Sequence, residues 1–283
     1  MMNPRQKIFY VFCMLCALSF ALLTSPMSLW AAKKAKSHKG ISARSVIFSN
    51  STKVKRLYGK NVNKRVPPAS TVKVMTALLA MEKLSLDQTV TASSNVVYPQ
   101  PSKIYIQPGE QYDVKSLLYA ILLKSANDAA VALAEAVAGS EEKFVALMNK
   151  KAKELGCKNT KFSNAHGLPK PTTQYTTAYD MYLIFRAALK HPFFREAIAT
   201  KQKTIASKAG REISLKSHNH ILSSKWSQKI YGKTGYTHAA RSCFVGYTKK
   251  GADDLIIAIF GCASGKRWNE IKRIVSKYGG IAL

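Results

Sequence analysis

Residues 67–80 read PPASTVKVMTALLA. The two prolines punctuate the chain. From Ser70 onward apolar side chains recur at helical spacing (Val72, Val74, Met75, Leu78, Leu79, Met81), so a helix is expected from Ser70 to about Lys83. Ser70 and Lys73 are three residues apart, which puts a hydroxyl and an amine on one helix face. The free N–H groups of a helix start also point at any oxyanion formed there. Serine is a weak nucleophile unless a base takes its proton. Lysine can be that base only if burial or a second cation lowers its pKa. Alone the pattern is weak, for a capping box explains the same spacing at Ser140–Lys143 and would serve for Ser70 too.

Two further short motifs lie downstream. Ser125-Ala126-Asn127 sits between two helical runs, where a hydroxyl and an amide can relay a proton and hold a substrate amide. An ordinary helix cap is the plainer reading, and Ser-x-Asn recurs at Ser93/Asn95 and Ser217/Asn219. Lys233-Thr234-Gly235 falls on a predicted strand and runs into Tyr236. Lys and Thr side by side, with Gly leaving room, make a carboxylate receptor, and Lys233 would be the second cation that depresses Lys73.

Taken in order, about 55 and 108 residues apart, the three motifs form the set shared by class A β-lactamases and penicillin-binding proteins. Over about residues 42–279 the chain resembles the D-alanyl-D-alanine carboxypeptidases, the low-molecular-mass penicillin-binding proteins. The likeness extends to QPGEQYDVKSLLYAILLKSANDAAVALAEAVAGS, to FSNAHGLP at 162–169 and to YTTAYDM at 175–181. It implies a substrate ending in D-Ala-D-Ala on a peptidoglycan stem peptide. Ser70 would be the nucleophile and Lys73 its base, with Ser125 and Asn127 as proton shuttle and amide holder. Lys233, Thr234 and Gly235 would receive the carboxylate. The N–H groups of Ser70 and Tyr236 would form the oxyanion hole. Neither a metal nor any other cofactor is implied, and β-lactams are expected as acylating inhibitors. The chain departs from the family at Arg241, where many members carry Gly, and it ends about 50 residues after Lys233, without the C-terminal β-rich domain of longer members.

Outside these motifs, strands are expected at Ser45–Phe48, Val54–Tyr58, Lys203–Ala206, Glu212–Leu215, Ile230–Tyr231, Ser242–Thr248 and Asp254–Cys262. Helical patterns occupy 113–124, about 127–138, 141–155, 176–190 and 267–279, with 85–112 rich in loop residues. Strands at both ends with helices between them predict an α+β, three-layer arrangement, an antiparallel sheet flanked by helices as in the β-lactamase/transpeptidase-like folds. Residues 33–283 are expected to form one catalytic domain.

The chain has 283 residues, 47% hydrophobic and 21% charged, which excludes disordered and collagen-like classes. Its net charge of +29 implies anionic surroundings: an anionic envelope polymer, a membrane surface or nucleic acid. Residues 1–32 have a basic head at Arg5 and Lys7, an apolar stretch from Ile8 to about Leu23, and small residues at Ala31 and Ala32. They read as a signal peptide or an N-terminal anchor, placing the body in the periplasm or on the outer face of the cytoplasmic membrane. Export, scattered basic residues and the absence of a nucleic-acid-binding signature argue against nucleic acid. Cys157, Cys243 and Cys262 form no disulfide framework. A Cys243–Cys262 bridge and free buried thiols are both open.

His166, His218 and His220 invite a Ser-His-Asp reading, although His166 lies in the FSNAHGLP block, where a loop role fits better. Asn219 falls where family members carry Asn, and Arg267 reads more readily as a solvated helix start than as an aid to carboxylate binding. An endopeptidase acting on D-Ala cross-links would use the same residues. Two rival functions are those of a β-lactamase and of a non-catalytic wall-binding protein.

Overall fold

Val46, Phe48, Phe244, Ile257 and Ile259 belong to one buried cluster, while Ile47, Val245, Ile256, Ala258 and Phe260 belong to another. Alternate residues of each strand thus face opposite sides, and both sides of the sheet are covered. The computed structural model describes residues 40–169 and 173–283, which fall in one compact unit. The segment 1–32 read as a signal or anchor lies outside them. No helix among the described residues is long and apolar enough to cross a membrane.

The central sheet has five strands: β1 (Ser45–Asn50), β2 (Lys55–Lys60), β7 (Tyr231–Thr237), β8 (Arg241–Lys250) and β9 (Asp253–Cys262), in the order β2-β1-β9-β8-β7 with every pair antiparallel. The amphipathic helix α7 (Arg267–Gly279) covers one face with Ile271, Ile274 and Val275. A helical layer covers the other, formed by α1 (Lys73–Lys83), α2 (Val114–Tyr119), α3 (Asn127–Ala138), α4 (Glu141–Glu154), α5 (Ala178–Ala188) and α6 (Pro192–Ala199). Helix α1 is buried without a break from Lys73 to Ala80, so it is apolar nearly all round. Sheet and helices make the expected three layers.

The loop-rich stretch 85–112 contains a small antiparallel pair, β3 (Thr89–Thr91) with β4 (Gln111–Asp113). Three residues are too few for alternation to show in sequence. A second hairpin joins β5 (Gln202–Ala206) to β6 (Glu212–Lys216), where two strands were expected. Helix α6 was not expected, because Pro192 at its first turn reads equally well as a break. The run 113–124 is not one α-helix. After Tyr119 it widens into a π turn over Ala120–Lys124 and stops at Ser125, whose φ is +64°.

Candidate active site

That left-handed residue is what lets two helices meet around Ser125. The π turn ends on it and α3 starts at Asn127; the Ser125 hydroxyl meets Lys233, while the Asn127 side chain reaches Lys73 at the start of α1. There Ala69–Val72 form a single 3-10 turn before the α-helix proper, with Ser70 at its second position. Ala69 takes a left-handed φ of +48°, which swings Ser70 out of the incoming chain.

Lys73 Nζ lies 3.2 Å from Ser70 Oγ, 2.6 Å from Asn127 Oδ1 and 2.7 Å from the His166 carbonyl oxygen. The lysine is fully buried. Burial, and secondarily the charge of Lys233, push its pKa well below the ordinary lysine value, while Asp128 opposes them. Asp128 is buried as well and accepts N–H bonds from Ile104, Ile106 and Ala129, fixing the segment in front of α3.

Lys233 projects from β7 into the same space and donates to Ser125 Oγ at 2.9 Å. It too is buried, and burial followed by the nearby Arg267 brings its pKa down to about 7. Gly235 is the tightest point between strand and nucleophile. A Cβ there would stand 3.1 Å from Ser70 N and 3.1 Å from Ala69 Cβ. Gly167 presses from the opposite side, with φ +95° and room for no Cβ, since one would lie 2.1 Å from the Ala69 carbonyl oxygen. A cleft of about 460 Å³ is lined by Ser70, Ser125, Thr234, Gly235, Tyr236 and Arg267, among others. The structure therefore gathers all eight residues singled out in the three motifs around one cleft, with Tyr236 exposed at its rim.

Arg267 corrects the sequence reading. It is no solvated helix start: it lines the cleft and donates to the Cys243 carbonyl oxygen at 3.1 Å, and its buried Nε has no partner among the described residues. The 3.6 period of α7 sets Arg267 in line with Ile271 and Ile274, but a cation in the first turn of a helix reads equally well as one that reaches solvent. Two groups were not foreseen: Asp128, whose type resembles any first-turn acid, and the His166 carbonyl, which carries no side-chain signal. The His166 ring does not face Ser70 as a triad base would. Burial, and then Lys73, push its pKa down to about 3. His218 and His220 line the cleft, and burial, then Lys233, bring His218 down to about 4. Asn219 is structural: it caps a 3-10 turn and donates to the Ile230 carbonyl at the start of β7. Ser140 caps α4, accepting from Lys143 N.

Cys243 and Cys262 are free and lie in opposite clusters of the sheet, so free buried thiols are what the structure contains. Among the described residues, no three His, Cys, Asp or Glu side chains converge on a point that could hold a metal ion.

A family model described as D-alanyl-D-alanine carboxypeptidase matches residues 32–264. The D-alanyl-D-alanine carboxypeptidase DacF of Bacillus subtilis is 37% identical over 256 residues, covering 88% of this chain and 65% of the relative. DacB2 of Mycobacterium tuberculosis, of the same description, is 37% identical over 204 residues, covering 72% of this chain and 69% of the relative. The chain thus spans about two thirds of the length of these relatives. Among solved structures, a variant of the Streptomyces K15 DD-transpeptidase superposes with a TM-score of 0.80 at 27% identity, covering 86% of this chain and all of that one.

Proposed function

Because the chain belongs to the D-alanyl-D-alanine carboxypeptidase family, we propose that it is a serine-type hydrolase that removes the terminal D-alanine from peptidoglycan stem peptides through an acyl-enzyme. One observation carries this reading. A neutral lysine amine has two N–H bonds and one lone pair. Asn127 Oδ1 and the His166 carbonyl, at 2.6 and 2.7 Å, take the two N–H bonds, which leaves the lone pair for the Ser70 hydroxyl at 3.2 Å. Burial without a contacting carboxylate favours that neutral form.

Lys73 takes the hydroxyl proton as Ser70 Oγ attacks the carbonyl between the two D-alanines. The N–H groups of Ser70 and Tyr236 stabilise the oxyanion, and losing one such donor typically costs about 10²–10³-fold in rate. As the C–N bond breaks, the leaving amine receives its proton through Ser125, which Lys233 holds. Water then attacks the acyl carbon, with Lys73 again accepting a proton, and Ser70 is freed. Lys233, Thr234 and Arg267 supply the positive end for the terminal carboxylate, which accounts for action at a chain end. A penicillin presents a similar carboxylate and carbonyl, so it acylates the same serine.

Residues 33–283 act as one catalytic domain, delivered across the membrane by the N-terminal segment. The net charge of +29 suits work against anionic envelope polymers or lipid headgroups. Intact-mass measurement after incubation with benzylpenicillin tests the reading. A lasting one-equivalent adduct, absent from Ser70→Ala, is expected; folded protein that neither forms an adduct nor consumes penicillin would overturn it.

A further inference from the structure

Charge is unevenly spread through the layers. Residues 40–81 and 213–283 build the central sheet, α1 and α7, and of the chain's 15 acids they hold only Asp253, Asp254 and Glu270. Asp253 pairs with Lys53 and Asp254 with Arg195, both at the start of β9. Glu270 is buried under α7, where its carboxylate accepts from Ser42 N at 2.6 Å and Ala43 N at 3.2 Å. None of the three is left to neutralise the outer face of α7.

That face is cationic along its length. Lys266, Lys272, Arg273 and Lys277 are exposed, and the only other exposed position between them is Asn269. Aromatic rings fringe it. Lys272 Nζ lies 5.6 Å over the Trp226 ring and Lys277 Nζ 5.7 Å over that of Tyr278, and both rings are partly buried. Exposed Lys225 precedes Trp226, and Ser227 Oγ donates to the Ala282 carbonyl at 3.1 Å, which draws this segment onto the end of the chain. The lysines of α4 differ, for exposed Lys143, Lys150 and Lys153 share their helix with exposed Glu142 and Glu154.

The chain also enters the fold here. Gly40 is the first described residue, and a Cβ on it would stand 2.6 Å from an Arg273 Nη. Lys60 Nζ donates to the Ile41 carbonyl at 2.6 Å, and Ser42 Oγ accepts from Ala263 N at 2.9 Å. In sequence this entry follows Lys33, Lys34, Lys36 and Lys39, and before them the apolar stretch from Ile8 to about Leu23.

We infer that the outer face of α7 is a docking surface for an anionic lipid bilayer, lying against its phospholipid headgroups. The ammonium and guanidinium groups meet the phosphates, while Trp226 and Tyr278 supply amphipathic rings of the kind favoured at headgroup depth. A soluble anionic polymer would pair with the cations but gains nothing from the rings, nor from an entry point that follows a lysine run and an apolar stretch. Arg267, in the first turn of the same helix, lines the catalytic cleft, so docking holds the cleft beside the membrane surface. Docking through α7 requires nothing of the chemistry at Ser70.

Lysine acetylation of the full chain, read by mass spectrometry, tests it. The protein meets limiting N-hydroxysuccinimidyl acetate beside vesicles of phosphatidylcholine alone, or of phosphatidylcholine with phosphatidylglycerol. Phosphatidylglycerol is expected to slow labelling of Lys266, Lys272 and Lys277 about fivefold or more, the weight of one cation at an anionic surface, and to leave Lys143, Lys150 and Lys153 unchanged. High salt should restore the labelling. Lys272→Glu combined with Arg273→Glu should restore it at Lys266 and Lys277, with the far-ultraviolet circular dichroism of the folded protein retained. Equal labelling of α7 and α4, protection that needs no phosphatidylglycerol, or protection that survives the double substitution overturns the docking surface. So does equal protection by soluble polyphosphate at the same phosphate concentration, which would mark the face as a polymer site.

Discussion

Lys73 Nζ sits closer to Asn127 Oδ1, at 2.6 Å, than to Ser70 Oγ, at 3.2 Å. The amide therefore aims the amine, although it comes from another helix 54 residues away.

Removing that guide should cost rate without unfolding the protein. Asn127→Ala is expected to slow acylation by benzylpenicillin about 10²-fold, within the range of a misplaced proton acceptor. Asn127→Asp should behave differently. A carboxylate beside Lys73 favours the ammonium, so the acid limb of acylation should move to higher pH. Intact mass followed against time and pH checks both, and an unmoved acid limb in Asn127→Asp would count against Lys73 as the base.

The receptor cation gives the alkaline limb. With Lys233 brought down to about 7, its ammonium is present below that pH and lost above it. In the free enzyme kcat/KM for a peptide ending in a carboxylate should therefore fall as pH rises through about 7. A C-terminally amidated peptide, having no charge to pair, should lack that limb. Stability moves the other way, because between 7 and the unfolded value of 10.5 the unfolded chain binds more protons. The Tm advantage of Lys233→Met over the wild type should accordingly shrink as pH rises across that window.

Gly167→Ala places a methyl group against the Ala69 carbonyl at a left-handed φ. Both faults act on the turn that presents Ser70. A loss of about 2 kcal/mol or more is expected, a Tm fall of roughly 4–8 °C. Gly235→Ala meets milder contacts at 3.1 Å and should cost acylation rate more than Tm. Calorimetry alongside the penicillin assay separates the two effects.

Free thiols predict insensitivity to reductant. Alkylation under denaturing conditions without reductant should modify Cys157, Cys243 and Cys262 alike, and dithiothreitol should leave Tm unchanged. Protection of Cys243 together with Cys262 would refute their placement on opposite faces of the sheet.

Much of this was legible because each motif uses a different local signal. Ser70 and Lys73 declare themselves by helix spacing, Lys233 to Gly235 by a strand with a small residue, and α7 by its apolar period. The order of the motifs then links them. What sequence could not reveal is set by tertiary contact. Arg267 enters the cleft through the way α7 meets β8, the His166 carbonyl has no side chain to betray it, and Asp128 acts by holding a loop. The widening of the helix at Ala120–Lys124 likewise carries no period of its own.

β1, near residue 45, finds its inner partner only in β9, which begins at Asp253. Until the last strand is made, the central sheet is split into β1-β2 and β7-β8, and α7 lacks the joined face that it covers. Such distant pairing delays folding until nearly the whole polypeptide is available. A growing chain with this order stays pliant, and the nucleophile is assembled only after the last strand has joined.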